Sequence, residues 1–414
     1  MDFAYSTRVQ ALRQQVQRFM DDLILPSHRD WLRWSEAGAY PLDVIEPLKA
    51  RARAAGLWNL FLPGLRDDEP GTRLSNLEYA PLAEIMGRVP WASEVFNCSA
   101  PDTGNIELLQ LFATPAQRAH WLRPLMEGTM RSCFAMSEPD VASSDPTNLG
   151  TRIARDGDHW VLNGRKWFIT GAAHPQCRLA IVMGVSDAAP DVPAHRRHSL
   201  LLVPMDAPGL EIVRNIPVMQ HQAIEGHCEL VFRDVRVPAD HLLGTAGEGF
   251  AMAQARLGPG RVHHCMRTIG QCELALELMA ERALERMAFG RHLSDFANVQ
   301  DWIACSRLEI DRAAWRMDTE GNAAARTDVS AIKVVAAQLQ TRVLDRAMQV
   351  FGAVGLTPDT PLAALWSWGR ALRFLDGPDE VHLRTVAREE LRRSRAHRGD
   401  NVLHLQRWMP PESL

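Results

Sequence analysis

The apolar period of this 414-residue chain changes twice along its length, and that double change most constrains its fold. Up to about residue 130 the spacing is helical. Val9, Leu12, Val16, Phe19, Met20 and Leu23 share one stripe behind Ser6, a good N-cap, and Thr114-Pro115 opens another helix. From Arg131 to Leu243 the spacing becomes strand-like. Asp156-Gly157 and Asn163-Gly164 are hairpin-turn pairs, and RLAIVMG, SLLLVPM, LEIVRNI and CELVFRDVRV read as further strands. After GTAGEGF the helical period returns, with Leu274, Leu276, Met279, Leu284 and Met287 near one face. Segments 297–317, 326–352 and 361–373 complete four helices. The expected class is α+β: an N-terminal helical domain (1–130), a middle antiparallel β-sheet or barrel (131–243), a C-terminal four-helix bundle (244–398) and a docking or frayed tail (399–414).

Composition removes several functional classes. The net charge of -4 excludes a chain-wide basic field for nucleic acid. The apolar runs are far shorter than the roughly 18 residues of a membrane span, and the N-terminus shows no apolar signal core. Seven cysteines without a C-x-x-C pair fit reduced thiols, so the expected compartment is the cytoplasm. His263-His264-Cys265 are adjacent and point about 100° apart on a helix, and HQAIEGH lacks histidines four apart, so no metal site is expected. There is no G-x-S-x-G elbow, and RLGPGR (256–261) lacks the Lys-Ser/Thr of a nucleotide-triphosphate loop.

Three segments leave alternatives open. FAMSEPDVASSD (134–145) is either a polar turn or a loop whose N–H groups and hydroxyls bind a phosphate or a heteroaromatic edge. NCSAPDTGN (97–105) reads as a helix connector. In RFLDGPDEVHL (373–383), Asp376 is either a helix N-cap with Asp379 as its partner or a carboxylate available as a general base. The Arg-rich run from Arg384 to Arg398 is a solvated helix end or a nucleic-acid face.

Taken together, these segments resemble the acyl-CoA dehydrogenase family over nearly the whole chain. SEPDVASSD resembles its flavin-binding loop, NGRKWFITGA the strand beside the flavin, ERMAFGRHL its R-x-x-F-G motif and MQVFGAVG its Q-x-x-G-G-x-G motif. NCSAPDTGN, RLGPGRVHHCMRTIG and DGPDEVH resemble a subgroup that includes the dehydrogenase part of kinase-fused animal relatives. The resemblance implies FAD as cofactor, an acyl-CoA substrate, an electron-transfer flavoprotein as acceptor, and a homodimer or homotetramer whose FAD site is shared between subunits. It places Met136 and Ser137 on the flavin ring, Ser143 and Ser144 on the pyrophosphate, Phe168 against the flavin and Thr170 on its edge. It places Arg286, Phe289, Gln349 and Gly352 on the adenosine half of a neighbour's FAD, and Ser186 and Arg261 near the substrate.

The resemblance also makes Asp376 the base that removes the α-proton, with Glu380 as fallback. The family's usual glutamate has one methylene more, and the other position from which relatives draw a base is here Gly260. Two further enzymatic readings share this site: a 4-phosphoryloxyacyl-CoA substrate with phosphate elimination, and a flavin oxidase. A reading of another class is a non-catalytic DNA-binding or assembly member of the fold.

Overall fold

The structure is a computed structural model that describes residues 5–189, 191–314 and 326–398. The chain opens with α1 (Thr7–Phe19) and α2 (Leu25–Glu36), joined without a break by a π-helical turn at Met20–Ile24. The Ser6 hydroxyl caps α1 by accepting from the Val9 N–H. Then come α3 (Leu42–Ala54), α4 (Asn76–Gly87), α5 (Ala92–Val95), α6 (Asp102–Phe112), α7 (Pro115–Gln117) and α8 (Arg123–Met126). Thr114 and Gln117 form the capping box that the Thr-Pro signal implied.

The middle segment holds β1 (Arg131–Ala135), β2 (Arg152–Asp156), β3 (His159–Thr170), β4 (Cys177–Val185), β5 (His198–Pro204), β6 (Leu210–Asn215), β7 (His227–Pro238) and β8 (Leu242–Leu243). Their order is β6-β7-β3-β2-β4-β5-β8, with β1 paired to β4. The sheet is antiparallel except that β4 runs parallel to β1 and, at one residue pair, to β2. Long stretches of chain separate β4 from both strands, which a parallel crossover requires. β4 and β5 are apolar without alternation because both of their faces are covered. Leu179, Ile181, Met183, Leu200 and Leu202 join the core shared with the helices, whereas Ala180, Val182, Leu201 and Val203 join a second core within the sheet.

The C-terminal segment begins with the 37-residue helix α9 (Gly249–Glu285), which continues through Pro259. A two-stranded hairpin, β9 (Met287–Ala288) and β10 (Arg291–His292), leads to α10 (Ala297–Ala314), α11 (Arg326–Phe351), α12 (Leu362–Leu372) and α13 (Asp379–Arg398). The fourth long member of the bundle is α13 rather than the 361–373 segment, which forms the short α12. The sequence of α13 is highly charged, with six Arg among 384–398, so it carries little hydrophobic periodicity. The Thr268–Gln340 hydrogen bond and the stacking of Arg282 over Phe351 show that α9 and α11 run in the same direction. The expected tail, 399–414, lies outside the described residues, as do 315–317 of the expected third helix.

Candidate active site

Asp376 stands between α12 and α13 with φ at 52°, in the left-handed region that Asp tolerates better than most residues, and Gly377 follows at 103°. α13 begins three residues later, at Asp379, so Asp376 is not its N-cap. Asp379 is buried and engaged elsewhere. Its Oδ2 accepts from Arg373 Nε at 2.7 Å, and its Oδ1 lies 3.9 Å from Lys333 Nζ. The cap reading of Asp376 therefore fails, and its carboxylate is free for other work.

The backbone of the turn is fixed from three elements. Arg261 Nε of α9 donates to the Asp376 carbonyl at 2.9 Å, His382 Nε2 of α13 lies 3.2 Å from the same oxygen, and Lys333 Nζ of α11 donates to the Gly377 carbonyl at 2.6 Å. The Asp376 N–H has no acceptor among the described residues. Oδ2 of Asp376 would lie 3.7 Å from a Cβ built on Gly260, so the two positions from which the resemblance draws a base converge on one point. A Cβ there would be in van der Waals contact with the carboxylate.

The surroundings are rich in basic side chains. Arg256, Arg261, His264 and Arg267 reach this region from α9, Lys333 from α11 and His382 from α13. Burial pushes the Lys333 ammonium down to about 8, against the opposing pull of Asp379 and Asp376. Burial likewise holds His264 and His382 at about 4, so both rings are neutral near pH 7. Glu380 is exposed on the first turn of α13, away from this group.

The FAMSEPDVASSD segment leaves β1 and folds back on β3. Lys166 Nζ donates to the Met136 carbonyl at 2.8 Å, and the Trp167 N–H donates to the Ser137 carbonyl at 3.0 Å. Lys166 also pairs with Glu138 at 2.8 Å, both fully or nearly buried, and Glu138 accepts the Gly150 and Thr151 N–H groups. β3 thus engages both carbonyls, and the loop's remaining polar groups include the Ser137 hydroxyl. The Ser143 hydroxyl closes the loop, accepting from Glu138 N at 2.9 Å and donating to its carbonyl at 3.2 Å, while Ser144 is exposed.

A β-bulge between Lys166 and Ile169 turns Phe168 out of the sheet at φ 53°, leaving it 44% exposed beside Trp167. Such a strained, outward-turned aromatic offers a face to a planar ring. Thr170 Oγ1 is 3.0 Å from His227 Nδ1, and that imidazole stacks on Trp368 of α12. Arg256 lies over the Phe134 ring at 4.3 Å, two residues before Met136. These contacts tie the loop to α9 and the end of β3 to α12, the helices next to the Asp376 turn.

The remaining candidates fall elsewhere. Ser186 bonds Ser199 Oγ at 2.6 Å, which in turn accepts the Gly247 N–H, so its hydroxyl is tied to the β4–β5 region. Arg286 ends α9, and Phe289, at the tip of the β9–β10 hairpin, is 97% exposed. Gln349 and Gly352 are exposed at the C-terminal end of α11, brought to the same end of the bundle by the Arg282–Phe351 contact. Of the Arg-rich run, Arg392 and Arg393 pair with Glu389 and Glu390 within α13, which partly neutralises it.

Sequence reasoning missed Arg256, His264, Lys333 and His382. Arg256, Gly260, His264 and Arg267 recur at intervals of four, four and three, which places them on one face of α9. In the sequence this spacing is masked by the adjacent His263 and Cys265, which make His264 look like part of a ligand cluster. His263 and His264 do diverge: the first packs against Phe61 and Tyr79, the second faces Asp376.

Known proteins resemble this chain along almost its whole length. Residues 6–129, 133–235 and 247–391 match the N-terminal, middle and C-terminal domains of acyl-CoA dehydrogenase. The chain is 51% identical to FadE2 of Mycobacterium tuberculosis, described as a probable acyl-CoA dehydrogenase, over 96% of this chain and 98% of that protein. It is 47% identical to acyl-CoA dehydrogenase family member 10 of Mus musculus over 94% of this chain but only 37% of that longer protein. A solved Mycobacterium abscessus structure assigned as an acyl-CoA dehydrogenase superimposes with a TM-score of 0.88 at 46% identity, over 94% of this chain and all of that one. A glutaryl-CoA dehydrogenase from Mycobacterium smegmatis, solved with FADH2, shares the fold at a TM-score of 0.77 and 21% identity, over 93% and 95% of the two chains. The chain belongs to the acyl-CoA dehydrogenase family.

Proposed function

We propose that the protein catalyses FAD-dependent α,β-dehydrogenation of an acyl-CoA thioester, with Asp376 as the base. The observation that carries this is the Asp376 turn: a carboxylate released from capping, fixed through its backbone from three helices and facing the gap at Gly260. The α-C–H of a thioester is a weak acid and becomes reactive when donors meet the developing enolate oxygen. The Asp376 N–H, without an acceptor of its own among the described residues, supplies one such donor beside the base. His264 Nε2 lies 3.5 Å from the Asp376 carboxylate, and a base so positioned contributes about 10²- to 10⁴-fold.

FAD, when bound, accepts the β-hydride. Met136 and Ser137 would hold its ring through N–H groups and the Ser137 hydroxyl, Phe168 would cover one face and Thr170 would meet the ring edge. The FADH2 in the M. smegmatis structure of the same fold supports FAD as the cofactor. Arg286, Phe289, Gln349 and Gly352 lie exposed at one end of the bundle, which supports their service to the adenosine half of a neighbouring subunit's cofactor in a homodimer or homotetramer. An electron-transfer flavoprotein would then reoxidise the enzyme.

One observation favours a second substrate. The Arg256 guanidinium is desolvated, donates only to Asn105 Oδ1 and the Pro101 carbonyl, and pairs with no carboxylate among the described residues. An acyl chain with an anionic substituent, such as a 4-phosphoryloxy group, would give that cation its partner. The test is anaerobic addition of straight-chain and 4-phosphoryloxy acyl-CoAs to the yellow holoenzyme, followed by its visible spectrum. Wild-type flavin should bleach, whereas Asp376→Asn should retain the flavin spectrum and lose at least about 100-fold in bleaching rate. Wild-type rates in that variant would refute the base.

A further inference from the structure

We infer that His264 is a positioning residue for Asp376: Arg267 locks its imidazole in the tautomer protonated at Nε2, and that N–H holds one oxygen of the carboxylate. The inference rests on Asp376 being the base. Arg267 Nη2 lies 3.1 Å from His264 Nδ1. A guanidinium can only donate, so Nδ1 must accept and carries no proton. The proton of the neutral ring is then on Nε2, which lies 3.5 Å from Asp376 Oδ2. That distance suits a contact that tightens when substrate closes the site.

Protonating the ring would set a second N–H against Arg267 and a second positive charge beside it. Burial and Arg267 accordingly hold His264 at about 4, with Lys333 and Arg256 acting in the same direction and Asp376 opposing. His264 is thus a neutral donor across the physiological range. It fixes Oδ2 without adding a charge and leaves Oδ1 to take the α-proton.

The groups that face the carboxylate come from every element packed on the turn. α9 supplies Arg256, Arg261, His264 and Arg267, α11 supplies Lys333, and α13 supplies His382. Arg261, Lys333 and His382 address backbone carbonyls of residues 376 and 377. Among the described residues, His264 alone is within 4 Å of a carboxylate oxygen as an ion-pair or hydrogen-bond partner.

The test compares wild type, His264→Phe, His264→Gln and Asp376→Asn as holoenzymes. The readout is the pH profile of kcat/KM for flavin reduction by the acyl-CoA that bleaches wild type fastest, which reports the base of the free enzyme. Loss of a donor to the charged form makes a carboxylate harder to ionise. In His264→Phe the acid limb should therefore move up by about one pH unit, and kcat should fall about tenfold with KM little changed. Gln, which retains an N–H donor of similar reach, should return the limb towards wild type.

Nitrogen-15 NMR of wild type supplies a readout independent of turnover: His264 should show a bare Nδ1 and a protonated Nε2 between about pH 6 and 8. An unmoved limb in His264→Phe, with Asp376→Asn inactive, sinks this inference and spares the base. An Nδ1–H tautomer or a cationic ring also sinks it. Equal shifts in Phe and Gln would reduce His264 to packing and refute it too. Wild-type turnover in Asp376→Asn refutes the base and this inference together. If His264→Phe does not fold, the Gln profile and the tautomer decide.

Discussion

Phe168 shows at the level of one residue how a site is built against local preference. Its left-handed backbone costs roughly 1 kcal/mol for a residue with a Cβ, and its exposed ring recovers little of that by packing. Phe168→Gly should therefore raise the stability of the flavin-free protein by up to about 1 kcal/mol while weakening FAD retention, checked by urea unfolding and by flavin loss on dilution. A variant that gained no stability would show that the bulge is not strained. Other single residues were unevenly legible. The chemistry of Asp376 was undecided from DGPDEVH alone, because a cap and a base want the same residue type, and only the start of α13 at Asp379 separates them. His264 was hidden by its company: adjacent residues on a helix look like a cluster in one dimension and diverge in three.

Among elements, the contact that places the site is α4 against α9. A Cβ on Gly270 would overlap the Glu84 carbonyl, and one on Gly87 would overlap the backbone of Arg267. The two helices touch through glycine, and α9 carries Gly260, Arg261, His264 and Arg267 into the site. Gly270→Ala should force them apart and destabilise the protein by about 1–3 kcal/mol, read from thermal unfolding, with a loss of turnover at sites it never touches. An unchanged melting temperature would mean that the bundle yields there. The strands were readable because strand period and turn pairs are local signals. The parallel β1–β4 pairing was not, because it is set by a crossover rather than by either strand. α13 was legible as a helix, but not its length, since its Glu and Arg pair along its own surface.

Across the molecule, buried ionisable groups predict the shape of its pH stability curve. Burial holds His263 at about 3 and His264 and His382 at about 4, below the ordinary 6.5. Their folded forms stay neutral where the unfolded chain takes up protons, so stability is lost as pH falls from about 6.5 through 4, at about 1.4 kcal/mol per unit of displacement for each ring. Glu84 and Glu107 act oppositely. Burial raises them to about 7 and about 8, so the folded chain keeps protons that the unfolded chain releases, and stability falls as pH rises from about 4.5 to 8. Urea unfolding across pH should place the maximum on the acid side of neutrality, and Glu107→Gln should move it to higher pH. A maximum that ignores Glu107 would contradict the burial of that carboxyl.

The order of the three segments was plain from periodicity, whereas the way they meet was not, since it depends on glycines whose neighbours are distant in sequence. Those same glycines limit how the protein can diversify. With α4 and α9 already in backbone contact, the helices have no slack to slide closer or apart, so a lineage adapting to longer or bulkier acyl groups must recut the walls one side chain at a time.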